Sequence, residues 1–316
     1  MNNLAATLGH QGHYAEAERL KRSVLDARQR TVGPEDPDTM TAMNNLSATI
    51  QQEGRYVEAE KLQRETLTLQ RRVLGPEHPD TLRSMNNLAN SLVHENHLAE
   101  ALQLQREVLL IKQRVLGPEH QDTLWAMSEL AATLQTEKQY PDAEKLQRQT
   151  LEIQRRVLGP ERPNTLSTMA DLGDTLSKEG RYSEAEVLQR QTVDAMRRVL
   201  GPEHPFTLET MDGLAETLDR EGHYEEAGKL ARETLETQRR VLGPQHPDTA
   251  GTIYDIGCIL AHRGRSDEAF STLREAIDHG LDPATDRDLA TTPDLQSLRK
   301  DPRFAGLVAD AQQRAR

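Results

Sequence analysis

Apolar residues along the chain follow a helical spacing that is interrupted at regular intervals. The stretch from Met85 to Leu92 places its apolar residues on one face of a first helix, because they lie three and four residues apart. After Asn96 a longer apolar face begins, formed by Leu98, Ala101, Leu104, Val108, Ile111 and Val115. Gly117 and the proline after it are typical of a helix end. The pattern predicts two antiparallel helices, A and B, joined by a short turn.

This helix pair recurs along the chain with a period of 42 residues. Helix A carries one large apolar position in each copy, at Met1, Met43, Met85, Met127, Met169, Met211 and Ile253. Helix B carries alanine at one position in each copy, at Ala17, Ala59, Ala101, Ala143, Ala185, Ala227 and Ala269. A larger side chain there would push helix B away from helix A. Because one pair cannot bury its apolar face alone, a period of this length indicates an array of stacked pairs.

The repeats predict two regions. Residues 1–280 form an array of seven units, and residues 281–316 form capping helices, expected at about Pro293–Arg299 and Pro302–Gln313. Met1 falls in what should already be the first turn of helix A, so the first unit is truncated. Either the protein starts with a shortened cap or the chain is a fragment of a longer protein. A natural cap should carry a polar outer face, and its absence from the first unit favours a fragment.

The order of residues within a unit resembles the tetratricopeptide repeat. In the second unit this order is Met43, Leu46, Ser47, Gly54-Arg55-Tyr56 and Ala59. The length of 42 residues, with Met-Asn-Asn-Leu-Ala in helix A and Leu-Gly-Pro-Glu-His-Pro-Asp-Thr at Leu74–Thr81, resembles the kinesin light chain subclass. Similar arrays are common in bacterial regulatory proteins. The resemblance implies an all-α, right-handed superhelical solenoid, with a concave groove lined by helix A that holds an extended peptide or partner segment.

Asparagines in helix A are the first candidates for that groove. They occur in pairs in the first three units, with one more in the third, at Asn2-Asn3, Asn44-Asn45, Asn86-Asn87 and Asn90. An asparagine side chain both donates and accepts hydrogen bonds, so a row of them can hold a peptide backbone without selecting its sequence. The alternative is that these amides tie one repeat to the next, or cover helix A with polar surface.

The equivalent positions become acidic in later units. They carry Ser128-Glu129, Ala170-Asp171, Asp212-Gly213 and Tyr254-Asp255, followed one turn later by Asp174 and Glu216, with Asp219 beyond. Such a groove would complement a partner with a basic segment, which affects orientation and encounter rate more than affinity. The alternative is a solvated acidic face. Trp125 lies at the groove edge, where it either anchors a partner or packs on the neighbouring repeat.

Composition and charge narrow the function classes. Hydrophobic residues make up 35% of the chain and aromatic residues 3%, which suits a thin core shared between helices better than one large core. The net charge of −12 argues against binding to nucleic acid or to an anionic membrane. No apolar run reaches the roughly 20 residues that cross a bilayer. With a single cysteine no internal disulfide can form, so we expect a cytoplasmic protein.

The histidines do not predict a metal site. Four of them are linker copies a full repeat apart, too far from one another to share one ion: His78, His120, His204 and His246. The pairs His10/His13 and His94/His97 are interpreted as structural turn residues, although Glu95 lies beside the second pair. We expect no metal and no cofactor.

Catalytic motifs are not found either. Asp255, Cys258 and His262 fall on one helical face, but Cys258 occupies a position where other units carry small or polar residues. A groove residue is therefore the simpler interpretation of the thiol, and no catalytic residue is expected. The Arg-Arg pairs near the end of helix B, such as Arg71-Arg72, are expected to interact with the helix dipole rather than with nucleic acid.

The sequence leaves three functional hypotheses. The first is a non-catalytic scaffold that binds a protein or peptide in the groove. The second is a regulatory or sensor module cut from a larger bacterial signalling protein, such as a kinase or ATPase. The third is a structural array that self-assembles through the open face of its first unit. An adjoining catalytic segment would indicate the second, and association without a peptide ligand would indicate the third.

Overall fold

A computed structural model describes residues 7–8 and 13–314, except for the side chains at 283, 284 and 286. The described residues form helices joined by short turns, with no strand among them, which confirms the all-α fold. The long helices are α1 Tyr14–Thr31, α2 Pro37–Gln52, α3 Tyr56–Val73, α4 Pro79–His94, α5 Leu98–Leu116, α6 Gln121–Thr136, α7 Tyr140–Val157, α8 Pro163–Lys178, α9 Tyr182–Val199, α10 Pro205–Glu221, α11 Tyr224–Val241, α12 Pro247–His262 and α13 Ser266–His279. None of them is long and apolar enough to cross a membrane.

These helices alternate as the repeat predicts. From α2 to α13 each even-numbered helix is a helix A and each odd-numbered one a helix B, and α1 is helix B of the first unit. Met1, Asn2 and Asn3, which the sequence assigns to the first helix A, lie outside the described residues. The helix–turn–helix units are therefore confirmed for the part of the chain that can be described.

The recurring linker fixes the start of each helix A. Before α4, Gly75 has a φ of 90°, which glycine adopts without the steric cost of a β-carbon. His78 Nδ1 accepts a hydrogen bond from the N–H of Asp80 at 3.2 Å, and Thr81 Oγ1 donates to the carbonyl oxygen of Gly75 at 2.8 Å. Pro79 takes the first helical position, where its missing N–H costs nothing. The same contacts recur in the later linkers that carry histidine, so these histidines act as helix caps.

The predicted core positions are buried, with one exception. Every alanine of the helix B series has an exposed fraction of 0%, and the methionine positions described are buried as well. Val115 was predicted to continue the buried face of α5, but it is 54% exposed. It lies in the final turn of its helix at the edge of a pocket, and Val73, Val157, Val199 and Val241 are exposed at the equivalent position.

The described chain divides into two compact units, Met1–Leu146 and Gln147–Arg316, with the boundary inside α7. In the second unit a short helix α14 (Pro283–Asp288) is followed by a 3₁₀ helix at Pro293–Leu298 and by α15 at Arg303–Arg314. Apolar side chains of this C-terminal segment join the core of the last repeats: Leu289, Leu295, Leu298, Phe304 and Leu307. The C-terminal helical cap is thus confirmed, and only α14 was not predicted.

Arginines near the end of helix B connect neighbouring repeats. Arg71 Nη2 lies 2.9 Å from a carboxylate oxygen of Glu107 on the next helix B. Arg72 Nη2 lies 2.6 Å from Glu35 in the preceding linker. The arrangement recurs in the second unit at Arg197–Glu233, Arg198–Glu161, Arg239–Glu275 and Arg240–Glu203. In each of these Arg-Arg pairs, the first arginine therefore forms an ion pair with the next helix B and the second with the preceding linker. The helix-dipole interpretation did not predict this role.

Candidate functional site

Asn44 and Asn45 are adjacent in α2 but have different surroundings. Asn44 is only 2% exposed, and its Oδ1 lies 2.8 Å from the hydroxyl of Ser84 on the next helix A. The same hydroxyl lies 2.5 Å from Oε1 of Gln70 on α3, so three helices meet at one polar cluster. Asn45, in contrast, is exposed. The burial of Asn44 corrects its placement on the groove surface: it ties neighbouring repeats, which is the alternative that the sequence left open.

The other asparagines keep part of their surface exposed. Asn90 is exposed, and its Oδ1 accepts a hydrogen bond from Gln51 Nε2 on the preceding helix A at 3.1 Å. Asn86 and Asn87 are half-buried beside a pocket. Together with Asn45, they form what we call the amide row, which comprises Asn45, Asn86, Asn87 and Asn90. The row lies within the first compact unit.

A pocket of about 400 Å³ opens between α4, α5 and α6 in that unit. Its wall includes Asn86, Asn87, Leu116 and Trp125. The indole is 49% exposed, and Lys112 Nζ lies 5.3 Å from its centroid, within cation–π distance. A concave site that combines an aromatic side chain with a few polar groups is typical of ligand and peptide binding. We call it the Trp125 pocket.

The rim of the Trp125 pocket is held by polar contacts. Lys112 Nζ donates to the carbonyl oxygen of Asp122 at 3.2 Å, and burial lowers the pKa of the Lys112 ammonium. Arg83 pairs with Asp80 at 2.9 Å. Ser128 lies one turn beyond the tryptophan on α6 and is half-buried. The hydrogen bond to Asp122 therefore holds the Lys112 ammonium beside the indole.

Asp212 occupies the same repeat position as Asn44 and has the same kind of partners. Its Oδ2 accepts hydrogen bonds from Gln238 Nε2 and Thr252 Oγ1, each at 2.7 Å. Burial raises the pKa of the Asp212 carboxyl to about 7, although these two hydrogen bonds act in the opposite direction. Its Oδ1 has no hydrogen-bond partner. Like Asn44, Asp212 connects two repeats. The sequence had placed it on the groove surface and did not predict these contacts.

The remaining acidic candidates lie on α8 and α10 of the second unit. Asp174 is half-buried, accepts a hydrogen bond from Gln189 Nε2 at 2.9 Å, and has its pKa raised by burial to about 6. Glu216 is exposed and lies 3.6 Å from Arg220. Asp171 is half-buried. The acidic surface of this unit, as we use the term below, consists of Asp171, Asp174 and Glu216.

The thiol on α12 is not arranged as a nucleophile. Cys258 is buried, and burial together with the carboxyl of Asp255 raises its pKa well above the ordinary value. His262 Nδ1 lies 2.8 Å from a carboxylate oxygen of Asp219, and this contact raises the pKa of the imidazole. The histidine is thus engaged by Asp219, so these three residues do not produce an activated thiolate.

Sequence profiles of the tetratricopeptide repeat match most of the chain. One profile matches residues 39–111, 86–153, 122–198, 178–236 and 220–279, and a second matches residues 1–38. Repeats of this family generally mediate protein–protein interactions, and the proteins built from them are generally non-catalytic scaffolds. A search of curated proteins gave no significant match.

Solved structures share the fold. A protein of Podosopora anserina assigned to the kinesin light chains, with nearly identical TPR-like repeats, is 29% identical, with a TM-score of 0.57 over 65% of this chain and 97% of that one. The apo form of RapI is 13% identical, with a TM-score of 0.69 over 88% and 95% of the two chains. A tetratricopeptide repeat protein of Parabacteroides merdae is 16% identical, with a TM-score of 0.63 over 98% and 96%. The chain belongs to the tetratricopeptide repeat family, and its repeats are similar to those of the kinesin light chain-like structure.

Proposed function

We propose that the array binds an extended segment of a partner protein through the Trp125 pocket and the amide row beside it. The observation that carries this proposal is the indole of Trp125, half exposed at a pocket of about 400 Å³. An apolar side chain of the partner would cover the ring, and buried aromatic residues contribute most strongly to binding at interfaces. The neighbouring amides can donate to and accept from the partner backbone.

The partner segment is expected to be basic where it meets the second unit. Carboxylates within and beside the acidic surface repel one another, since Glu216 of that surface and the neighbouring Glu209 both raise the pKa of Asp174 further. A lysine or arginine from a partner would relieve this repulsion. Basic peptides should therefore bind more tightly than acidic ones of equal length, with affinity that falls as salt is added. Equal binding of basic and acidic peptide libraries would contradict this part of the proposal.

Replacing Trp125 with serine tests the pocket. Peptides would be selected by display against the whole chain, and their affinity measured by fluorescence anisotropy of the labelled peptide. We expect the variant Trp125→Ser to bind about tenfold more weakly, because truncating a central aromatic residue of an interface commonly has at least this effect. Serine is the residue that the chain itself carries at the equivalent position, Ser167, so the fold should accept it.

A second exposed aromatic residue provides the control. Phe206 is 52% exposed on the first turn of α10 and does not line the Trp125 pocket. The variant Phe206→Asp introduces the residue found at the equivalent Asp248, and it should leave peptide affinity unchanged. If Trp125→Ser binds as tightly as the original chain, the binding site lies elsewhere on the array.

A further inference from the structure

The turn between helix A and helix B brings acidic residues of neighbouring units together. After α2, this turn carries Glu53 and Arg55, and α1 of the preceding unit presents Glu18 to them. Arg55 Nη1 lies 2.9 Å from a carboxylate oxygen of Glu18 and 2.6 Å from one of Glu53. One guanidinium therefore neutralises two carboxylates that belong to successive repeats.

Two later turns keep the carboxylates but replace the arginine with histidine. The equivalent residues are Glu60, Glu95 and His97 in the first compact unit and Glu186, Glu221 and His223 in the second. In each group the three ligand atoms lie within 4.8 Å of one another. Histidine, unlike arginine, is largely neutral near pH 7. Glu60 still pairs with Arg64 at 2.6 Å, and Glu186 with Arg190 at 2.7 Å. The guanidinium that contacts Glu53 in the first turn, however, is replaced by an imidazole beside Glu95 and Glu221.

Both groups contain a carboxylate oxygen that nothing satisfies. Oε1 of Glu95 and Oε2 of Glu221 are shielded from solvent and have no hydrogen-bond partner. Oε2 of Glu221 lies 4.0 Å from His223 Nδ1, so it faces into its group. Leaving such an oxygen buried and unpaired is costly, and the cost is larger for a charged group. An electrophilic partner in the middle of each group would remove this cost.

The surroundings of the two groups differ in one respect. In the second group, Oε1 of Glu221 accepts a hydrogen bond from Ser183 at 2.5 Å. At the position of Ser183 the first group has Val57, which cannot donate. The carboxylate of Glu221 is therefore oriented by a contact that Val57 cannot give to Glu95, so the second group should bind an ion more tightly.

We propose that each of these two groups binds one divalent transition-metal ion, with Zn²⁺ as the ion whose preferred ligands they match. One imidazole nitrogen and two carboxylate oxygens supply three protein ligands, and water completes the tetrahedron. Zinc–ligand distances near 2.0 Å require the ligand atoms to approach to about 3.3 Å. The side chains can do so because His97 and His223 are exposed. Each ion would fasten helix B of one unit to the turn of the next.

Zinc stoichiometry tests this proposal. The untagged chain, stripped of metal with a chelator, would be dialysed against ZnCl₂ in a weakly chelating buffer near pH 7.5, and bound zinc measured by atomic emission. We expect two ions per chain, with the second group filling first. The variants His97→Gln and His223→Gln should each bind one, and the double variant none. Glutamine is the residue that the chain carries at the equivalent position, Gln139, so circular dichroism should stay unchanged.

His13 provides the matched control, because it occupies the equivalent position before α1 and belongs to neither group. The variant His13→Gln should still bind two ions. Zinc bound equally by the double variant would overturn the proposal, since it would place the ions on other histidines. Absence of bound zinc from the original chain would also overturn it.

Discussion

The variant Ala101→Leu is expected to lower the free energy of unfolding by about 3 kcal/mol, because larger side chains in a packed core force the surrounding structure apart. Ala101 lies in α5 and has an exposed fraction of 0%, as does alanine at the equivalent position of every unit. Urea unfolding followed by Trp125 fluorescence would measure the change. Trp125 is the only tryptophan and lies in the same compact unit, so the signal reports on the unit that carries the substitution.

The same substitution two residues away, at Ala99, separates the effect of core packing from the effect of leucine on helix propensity. Ala99 lies in the first turn of α5 and is exposed. Ala99→Leu should therefore alter stability by no more than about 0.5 kcal/mol, as surface substitutions usually do. Similar stabilities of the two variants would show that the alanine series is not required by close packing of helix B.

The variant Asp212→Asn is expected to stabilise the second compact unit by about 2–3 kcal/mol near pH 8. Burial raises the pKa of Asp212 to about 7 in the folded chain, whereas an unfolded aspartate titrates near pH 4. The unfolded state therefore releases the proton at lower pH than the folded state does. Stability of the original chain should fall as pH rises from about 4 to about 7 and then level off, and the asparagine variant should lose this slope.

The chain itself indicates that asparagine fits this position. Asn44 is the equivalent residue. It accepts a hydrogen bond from the hydroxyl of Ser84, as Asp212 does from the hydroxyl of Thr252. Thermal unfolding followed by circular dichroism at several pH values would measure the effect. Glu216→Gln removes a charge from the exposed carboxylate one turn away and should leave stability nearly unchanged. A gain for Asp212→Asn that is equal near pH 4 and pH 8 would rule out titration of this residue as its cause.

The helix pairs could be predicted because their signals are local. Apolar spacing, the glycine after helix B and the proline at the start of helix A all act within one unit, and the bounds of α4 and α5 follow from them. Val115 was placed wrongly because spacing alone does not show where a packed face ends. The regulatory-module and self-assembly hypotheses stay predictions.

The candidate site was harder to predict because it depends on how units stack. Asn44 and Asn45 are neighbours in sequence, yet one is buried against α4 and the other is exposed. Only the contact with Ser84, forty positions later, distinguishes them. The group of Glu60, Glu95 and His97 was missed for the same reason. His97 and Glu95 were noted together as turn residues, but the third residue of the group, Glu60, belongs to the preceding unit and shows only when the chain is aligned on its period.

The Arg-Arg pairs form ion pairs with the next helix B and with the preceding linker. Because these ion pairs recur, a whole repeat could be deleted without leaving an arginine unpaired. Excising Pro205–His246 would join His204 to Pro247, which recreates the linker. Glu275 would then occupy the position of Glu233 and could form the ion pair with Arg197. Glu275 already forms this pair with the equivalent arginine, Arg239. The new junction would thus keep an arginine–glutamate ion pair between neighbouring helices B. Recombination between these closely similar linkers could consequently remove or add a whole repeat, which would change the number of units while each junction keeps its ion pairs.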